Sequence, residues 1–206
     1  MSFAFPLTAA QFMDKICPVL RVRFFLDEPM SVSQLGDGTV LRASRGAALW
    51  QGDFIIRPRV HREAAEIEAL LSLLLRPGAS FLAYDPRRNG PSAGAGIGDP
   101  TIGFISGDRR EMSLSGWAGT ITPGDMLGFT YGSSPLRYAL HRAVAGATDA
   151  GTFEVTPPLR PAVTTGAAVN LMRPVCKATL LADGTMGAGG VRFSEAIRVP
   201  WVQTLG

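Results

Sequence analysis

The spacing of apolar and polar residues changes period along the chain, and each change marks an element. Residues 19–26, Val19-Leu-Arg-Val-Arg-Phe-Phe-Leu26, mix β-branched and aromatic side chains ahead of Pro29, which predicts a strand. Gly36-Asp-Gly38, with Val32 before it and Thr39-Val-Leu-Arg42 after it, predicts a hairpin. In Ala48-Leu-Trp-Gln-Gly-Asp-Phe-Ile-Ile-Arg57, partial alternation places Trp50, Phe54 and Ile56 on one face and Gln51, Asp53 and Arg57 on the other. The first sixty residues therefore read as β.

From His61 the period becomes 3.6. Ala64, Ile67, Leu71, Leu74 and Leu75 form one stripe, and Glu63, Glu66 and Glu68 sit towards the amino end, where the helix dipole favours carboxylates. Arg76-Pro77-Gly78 stops this helix, which is expected over 61–75. A strand over 80–84 comes next. Further strands are expected at 101–106, 120–122, 126–131, 138–145, 152–156 and 168–172. They are separated by Thr122-Pro-Gly-Asp125, Gly132-Ser-Ser-Pro135, Asp149-Ala-Gly151 and Pro157-Pro158. Closing strands at 177–181 and 191–199 flank Gly187-Ala-Gly-Gly190.

Short strands at spacings near ten residues, with one helix, predict an α+β fold that is mostly β. Its first half carries the helix, and its second half is a small all-β barrel or sandwich. The expected division is a β domain over 1–86 with helix 61–75, and a Gly/Pro-rich connector over 87–115. A small β-barrel domain is expected over 116–180, and closing strands over 181–206 return to the first domain.

Composition narrows the classes. The 206 residues are 46% hydrophobic and 18% charged, enough for a sizeable core. No apolar run approaches the roughly 20 residues of a membrane span, so none is expected. The amino-terminal MSFAFPLTAA lacks a basic region, and Asp14 and Lys15 interrupt the apolar stretch, so no secretory leader is expected. Cys17 and Cys176 are too few for a disulfide scaffold; a single bridge is open to them, and reduced buried thiols are expected. The net charge of +3 is small. Arg57/Arg59/Arg62, Arg87-Arg88 and Arg109-Arg110 each have carboxylates close by, which argues against a nucleic-acid surface.

The segment over 84–100, YDPRRNGPSAGAGIGDP, holds the most suggestive chemistry. Gly90-Pro-Ser-Ala-Gly94 matches G-x-S-x-G, but a nucleophile elbow needs a strand before Ser92 and a helix after it. Neither is expected, and His141, the one downstream histidine, lies inside a predicted strand. Gly94-Ala-Gly-Ile-Gly98 lacks the spacing and the helix of a dinucleotide fingerprint, and no lysine stands at P-loop spacing after it. His61 reads as helix-start polarity and His141 as a satisfied strand residue, so no zinc site is expected. Asp85, Asp99, Asp108, Glu111 and Asp125 fall on predicted loops, and no spacing selects a catalytic pair. Trp50, Trp117 and Trp201 read as core or interface. No catalytic residue, cofactor or metal is therefore expected. Residues 84–100 read as a connecting or contact loop whose Arg87 and Arg88 pair with carboxylates on an adjacent subunit.

Two regions resemble the distal tail and minor tail proteins of tailed bacteriophages, the siphophage tail tip. The first runs through Ala48-Leu-Trp-Gln-Gly-Asp-Phe54, the helix, and Pro77-Gly-Ala-Ser-Phe-Leu-Ala-Tyr-Asp-Pro-Arg87. The second comprises Thr122-Pro-Gly-Asp-Met-Leu-Gly-Phe129, Arg137-Tyr-Ala-Leu-His-Arg-Ala-Val144 and Thr152-Phe-Glu-Val-Thr-Pro-Pro-Leu-Arg160. The resemblance covers roughly residues 45–180. It implies a non-enzymatic structural protein of the virion tail, built of a tube-like β-barrel or sandwich domain with one flanking helix plus a second small barrel. It implies a ring, hexameric by analogy, that joins the tail tube to the hub or baseplate. Its partners would be copies of itself, the tube protein, and the hub and tape-measure proteins, with DNA only as passing cargo. Assembly would occur in the host cytoplasm. A carbohydrate-binding or cell-wall-hydrolysing tail module is the alternative, and it would require exposed tryptophans beside paired carboxylates.

Overall fold

The computed structural model describes residues 3–182, 189 and 192–205. The described residues are mostly β with two helices, and their elements gather into two units with separate cores. The first unit holds α1 (Met13–Ile16), β1 (Val19–Asp27), β2 (Met30–Gln34), β3 (Val40–Ser44), β4 (Leu49–Ile56), α2 (His61–Leu74) and β5 (Phe81–Ala83). It recruits β14 (Cys176–Leu180) and β15 (Ile197–Gln203) from the end of the chain. The antiparallel sheet runs β1-β4-β15-β14-β5, so the central strand comes from the last ten residues.

Alternation along β4 buries Trp50, Phe54 and Ile56, as the sequence predicts. Phe24, Trp50, Phe54 and Trp201 pack as one aromatic cluster, with Phe24 4.7 Å and Phe54 5.6 Å from the Trp201 ring. Gly52 sits in register with both Phe24 and Trp201. A Cβ there would lie 1.8 Å from the Arg23 carbonyl oxygen, so only glycine allows β1 to approach. The buried stripe of α2 is Ala64, Ile67, Leu70, Leu71 and Leu74. Leu70, three residues after Ile67 and four before Leu74, joins the stripe, whereas Leu75, expected in it, caps the helix and is exposed.

The second unit comprises β6 (Ile97–Ile105), β7 (Glu111–Ala118), β8 (Thr120–Ile121), β9 (Met126–Tyr131), β10 (Arg137–Ala143), β11 (Ala147–Thr148), β12 (Phe153–Thr156) and β13 (Val169–Asn170). Six of these form the sheet β13-β9-β10-β12-β7-β6. It curls back on itself, because Thr101 bridges Ala168 and the Ile102 amide donates to the Ala167 carbonyl. The result is a nearly closed barrel around Ile102, Met112, Leu114, Leu127, Phe129 and Val155. β9 and β10 are buried on both faces: Leu127 and Ala139 point into the barrel, whereas Met126 and Leu140 join the core of the first unit.

Several boundaries differ from expectation. Residues expected as connector up to 115 contain β6, which includes most of the strand expected at 101–106 but begins four residues earlier, and most of β7. Register shifts in β6 around Gly98 and Ile102 interrupt its alternation, and the serines and Gly116 of β7 hide Met112 and Leu114 as a strand face. The closing strand expected over 177–181 is β14, which belongs to the first sheet, so the barrel ends before the expected bound of 180. The closing strand expected over 191–199 begins at Ile197, and residues 187, 188, 190 and 191 lie outside the described residues. No described helix is long and apolar enough to cross a membrane.

Candidate functional site

The segment leaving β5 carries the molecule's most concentrated polar chemistry, and its local sequence explains the geometry. Tyr84 anchors it by donating its hydroxyl to Asp14 at 2.8 Å. Asp85 comes next with its side chain buried. Its Oδ1 accepts from the Arg87 amide and Nε, and its Oδ2 accepts from Arg87 Nη2 at 2.7 Å. The Arg88 amide donates to the Asp85 carbonyl, and Arg88 Nε approaches Oδ2 at 3.8 Å. Asp-Pro-Arg-Arg is thus a turn in which one buried carboxylate aims two guanidiniums outward. Its hydrogen bond to Asp85 raises the Arg87 pKa further. The arginines expected to seek a neighbour's carboxylate already share one within the chain.

Further on, the loop is tied to the barrel. Ser92 donates its amide (2.9 Å) and its hydroxyl (2.7 Å) to Oδ1 of Asp125. Thr122 donates its amide (2.8 Å) and hydroxyl (2.9 Å) to Oδ2 of the same carboxylate. Burial alone would raise the Asp125 pKa, but these four donors outweigh it and hold it below the ordinary value. A third tie is the indole of Trp117, which donates to the Ala95 carbonyl at 3.0 Å. Gly96 lies against that ring with φ +70°, where a Cβ would meet Trp117 Nε1 at 2.3 Å.

Two clefts open beside this strap. One of about 660 Å³ is lined by residues 17–22, by Tyr84 and by Arg87, Arg88 and Arg173. The other, of about 640 Å³, is lined by Phe24, residues 87–92 and Arg142. They share Arg87, Arg88 and Asn89, and neither is lined by an aspartate or glutamate. Arg142 lies 4.9 Å above the Trp50 ring. Nothing in the sequence pattern singles out Arg142 as a site residue. The one available signal is its neighbour: a strand that turns His141 inward must turn Arg142 out of the barrel.

The other sequence candidates are dispersed. Ser92 meets Asp125 rather than a histidine. His141 is buried in β10, stacked on Phe129, with Nδ1 2.6 Å from the Pro157 carbonyl. A carbonyl only accepts, so Nδ1 carries the proton of the neutral ring, and Nε2 has no partner among the described residues. Burial pushes its pKa down to about 4, against the Pro157 carbonyl, with Arg160 adding to the lowering. His61 opens α2 as expected. Cys17 and Cys176 are free thiols, and burial raises the pKa of both. Asp85 and Asp125 are buried and committed to loop bonds, while Asp108 accepts from Ser106. No group of three or more His, Cys, Asp or Glu is placed to hold a metal among the described residues. Arg59 donates Nη2 to the Ile16 and Cys17 carbonyls and Nη1 to Glu63, and Arg109 donates Nη1 to the Arg160 and Val163 carbonyls. Trp50, Trp117 and Trp201 are all buried, so none offers a ring for stacking on a sugar.

The outer border of the first sheet is different in kind. Among the described residues, the nine-residue β1 forms one margin of its sheet and pairs on one side only, with β4. Among the described residues the β2–β3 hairpin pairs only within itself, and all ten of its strand residues are exposed, Val32 and Leu41 among them. No protein-family model matches the chain, and no curated protein matches it.

Proposed function

We propose that the protein is a structural component of a phage or phage-derived tail tip. In this reading, copies close into a ring, hexameric by analogy, that joins the tail tube to the hub or baseplate. Its neighbours are the tube, hub and tape-measure proteins, and DNA only passes through. Assembly takes place in the host cytoplasm, and the protein's place is the virion tail. The role is one of surface complementarity and needs no reactive side chain.

The observation that carries this reading is the β2–β3 hairpin. A two-stranded hairpin is at best marginal in water, and here Met30, Val32, Leu35, Val40 and Leu41 all face solvent. Together with the free margin of β1, it gives each copy an arm and an unpaired strand border, the ingredients of a heterologous contact that closes by rotation. The resemblance of residues 45–180 to distal tail proteins points the same way. The test is to replace residues 30–44 with a short Gly/Ser turn and follow particle mass by light scattering. Loss of assembly with an unchanged thermal midpoint is the expected result; full assembly without the hairpin would overturn this role.

A further inference from the structure

Arg109 reaches two main-chain carbonyls, and Arg59 reaches two carbonyls and Glu63, although its Nε has no acceptor; Arg142 makes no side-chain hydrogen bond among the described residues. Its Nε is sealed from solvent and meets no acceptor among the described residues, while its plane lies over Trp50. Burial, and then the charge of Arg88, lower its pKa. Arg88 lines the same cleft and has only a 3.8 Å approach to Asp85, whose oxygens are already taken by Arg87. Three guanidiniums therefore line the cleft, only Arg87 and Arg88 reach a carboxylate, and like charges held against a weakly polarisable wall favour an added anion.

The cleft also has a direction. Arg87, Arg88 and Asn89 also line the neighbouring groove along residues 17–22, which include the start of the β1 border, with Arg21 and Arg173 on its walls. Arg173 has a partner, Asp14, at 3.6 Å. An unpaired strand border offers main-chain donors and acceptors to an extended peptide, and arginine forks beyond it select carboxylates. A small oxyanion would use only the arginine end. A nucleic-acid backbone would leave the main-chain groups of β1 unmet.

We infer that this groove binds an extended acidic segment of another protein chain, which adds as a strand to β1 and seats a carboxylate between Arg88 and Arg142. The groove is complete within one copy, but it uses the same border of β1 as the ring contact, so an acidic segment and a neighbouring copy would compete for that edge.

The experiment titrates the full chain into a fluorescein-labelled peptide of alternating aspartate and valine, read by fluorescence anisotropy. A matched peptide has asparagine for aspartate, and inorganic phosphate serves as a separate probe. The acidic peptide is expected to bind at least about tenfold more tightly than its neutral match, with affinity falling as salt rises. Arg88→Gln and Arg142→Gln are each expected to weaken it about tenfold. Arg88→Gln guards against misfolding, because that side chain makes no hydrogen bond or ring contact to a core residue among those described, and circular dichroism checks both variants. Equal binding of the two peptides, or unchanged binding by both variants, would overturn the inference. So would binding of phosphate with no binding of the acidic peptide.

Discussion

The indole N–H of Trp50 donates to the carbonyl oxygen of Leu140 at 2.7 Å, joining residues 90 positions apart in sequence. Trp50 lies in the first sheet and Leu140 in the barrel, so the bond ties two cores together. The Trp50→Phe variant keeps most of the apolar area but removes the donor, leaving a buried carbonyl unpaired. We expect it to lower stability by about 1–3 kcal/mol. Urea unfolding measures this, and a loss well below that range would mean the bond adds nothing to the junction.

Asp125 receives four hydrogen bonds from two loops, two of them from Ser92. Ser92→Ala removes one hydroxyl donor and should cost about 1 kcal/mol. Asp125→Ala strands donors in both loops and should cost distinctly more, with new protease cleavage between residues 87 and 98. Equal losses would show that the loop does not depend on Asp125. The folded Asp125 pKa lies below the unfolded value of 3.8. Its contribution is therefore complete above that value and is lost as pH falls through the lower folded one.

Much of the first unit was legible in the sequence because single-face burial writes a clear period. Trp50, Phe54 and Ile56 alternate, and the α2 stripe repeats at 3.6. β7 was not legible, since Ser113, Ser115 and Gly116 break its pattern while Met112 and Leu114 still point inward. The short α1 lacks a side-chain cap to announce it. At the site, Arg87-Arg88 and the glycines were visible, but their attachments were not. Asp125 lies 33 residues from Ser92, and nothing local in sequence reports such a bond. Arg142 stands out only because β10 is buried on both faces, a property that no alternating pattern reveals.

His141 supplies a pH dependence. Its unfolded value is 6.5 and its folded value about 4, so between these the unfolded chain binds the extra proton. Stability is therefore expected to fall as pH drops from about 6.5 towards 4, by as much as about 3 kcal/mol from this residue. His141→Gln should flatten that part of the curve even if it lowers stability overall. Urea midpoints across this window provide the check, and a native curve flat between these values would contradict the burial argument.

Copies of the chain are expected to recognise one another through the border of β1 and the projecting β2–β3 hairpin. Native mass spectrometry of the purified chain, with negative-stain imaging of the same sample, measures this directly. The expected result is a closed ring of a single stoichiometry, six by analogy. A strict monomer at high concentration would contradict it.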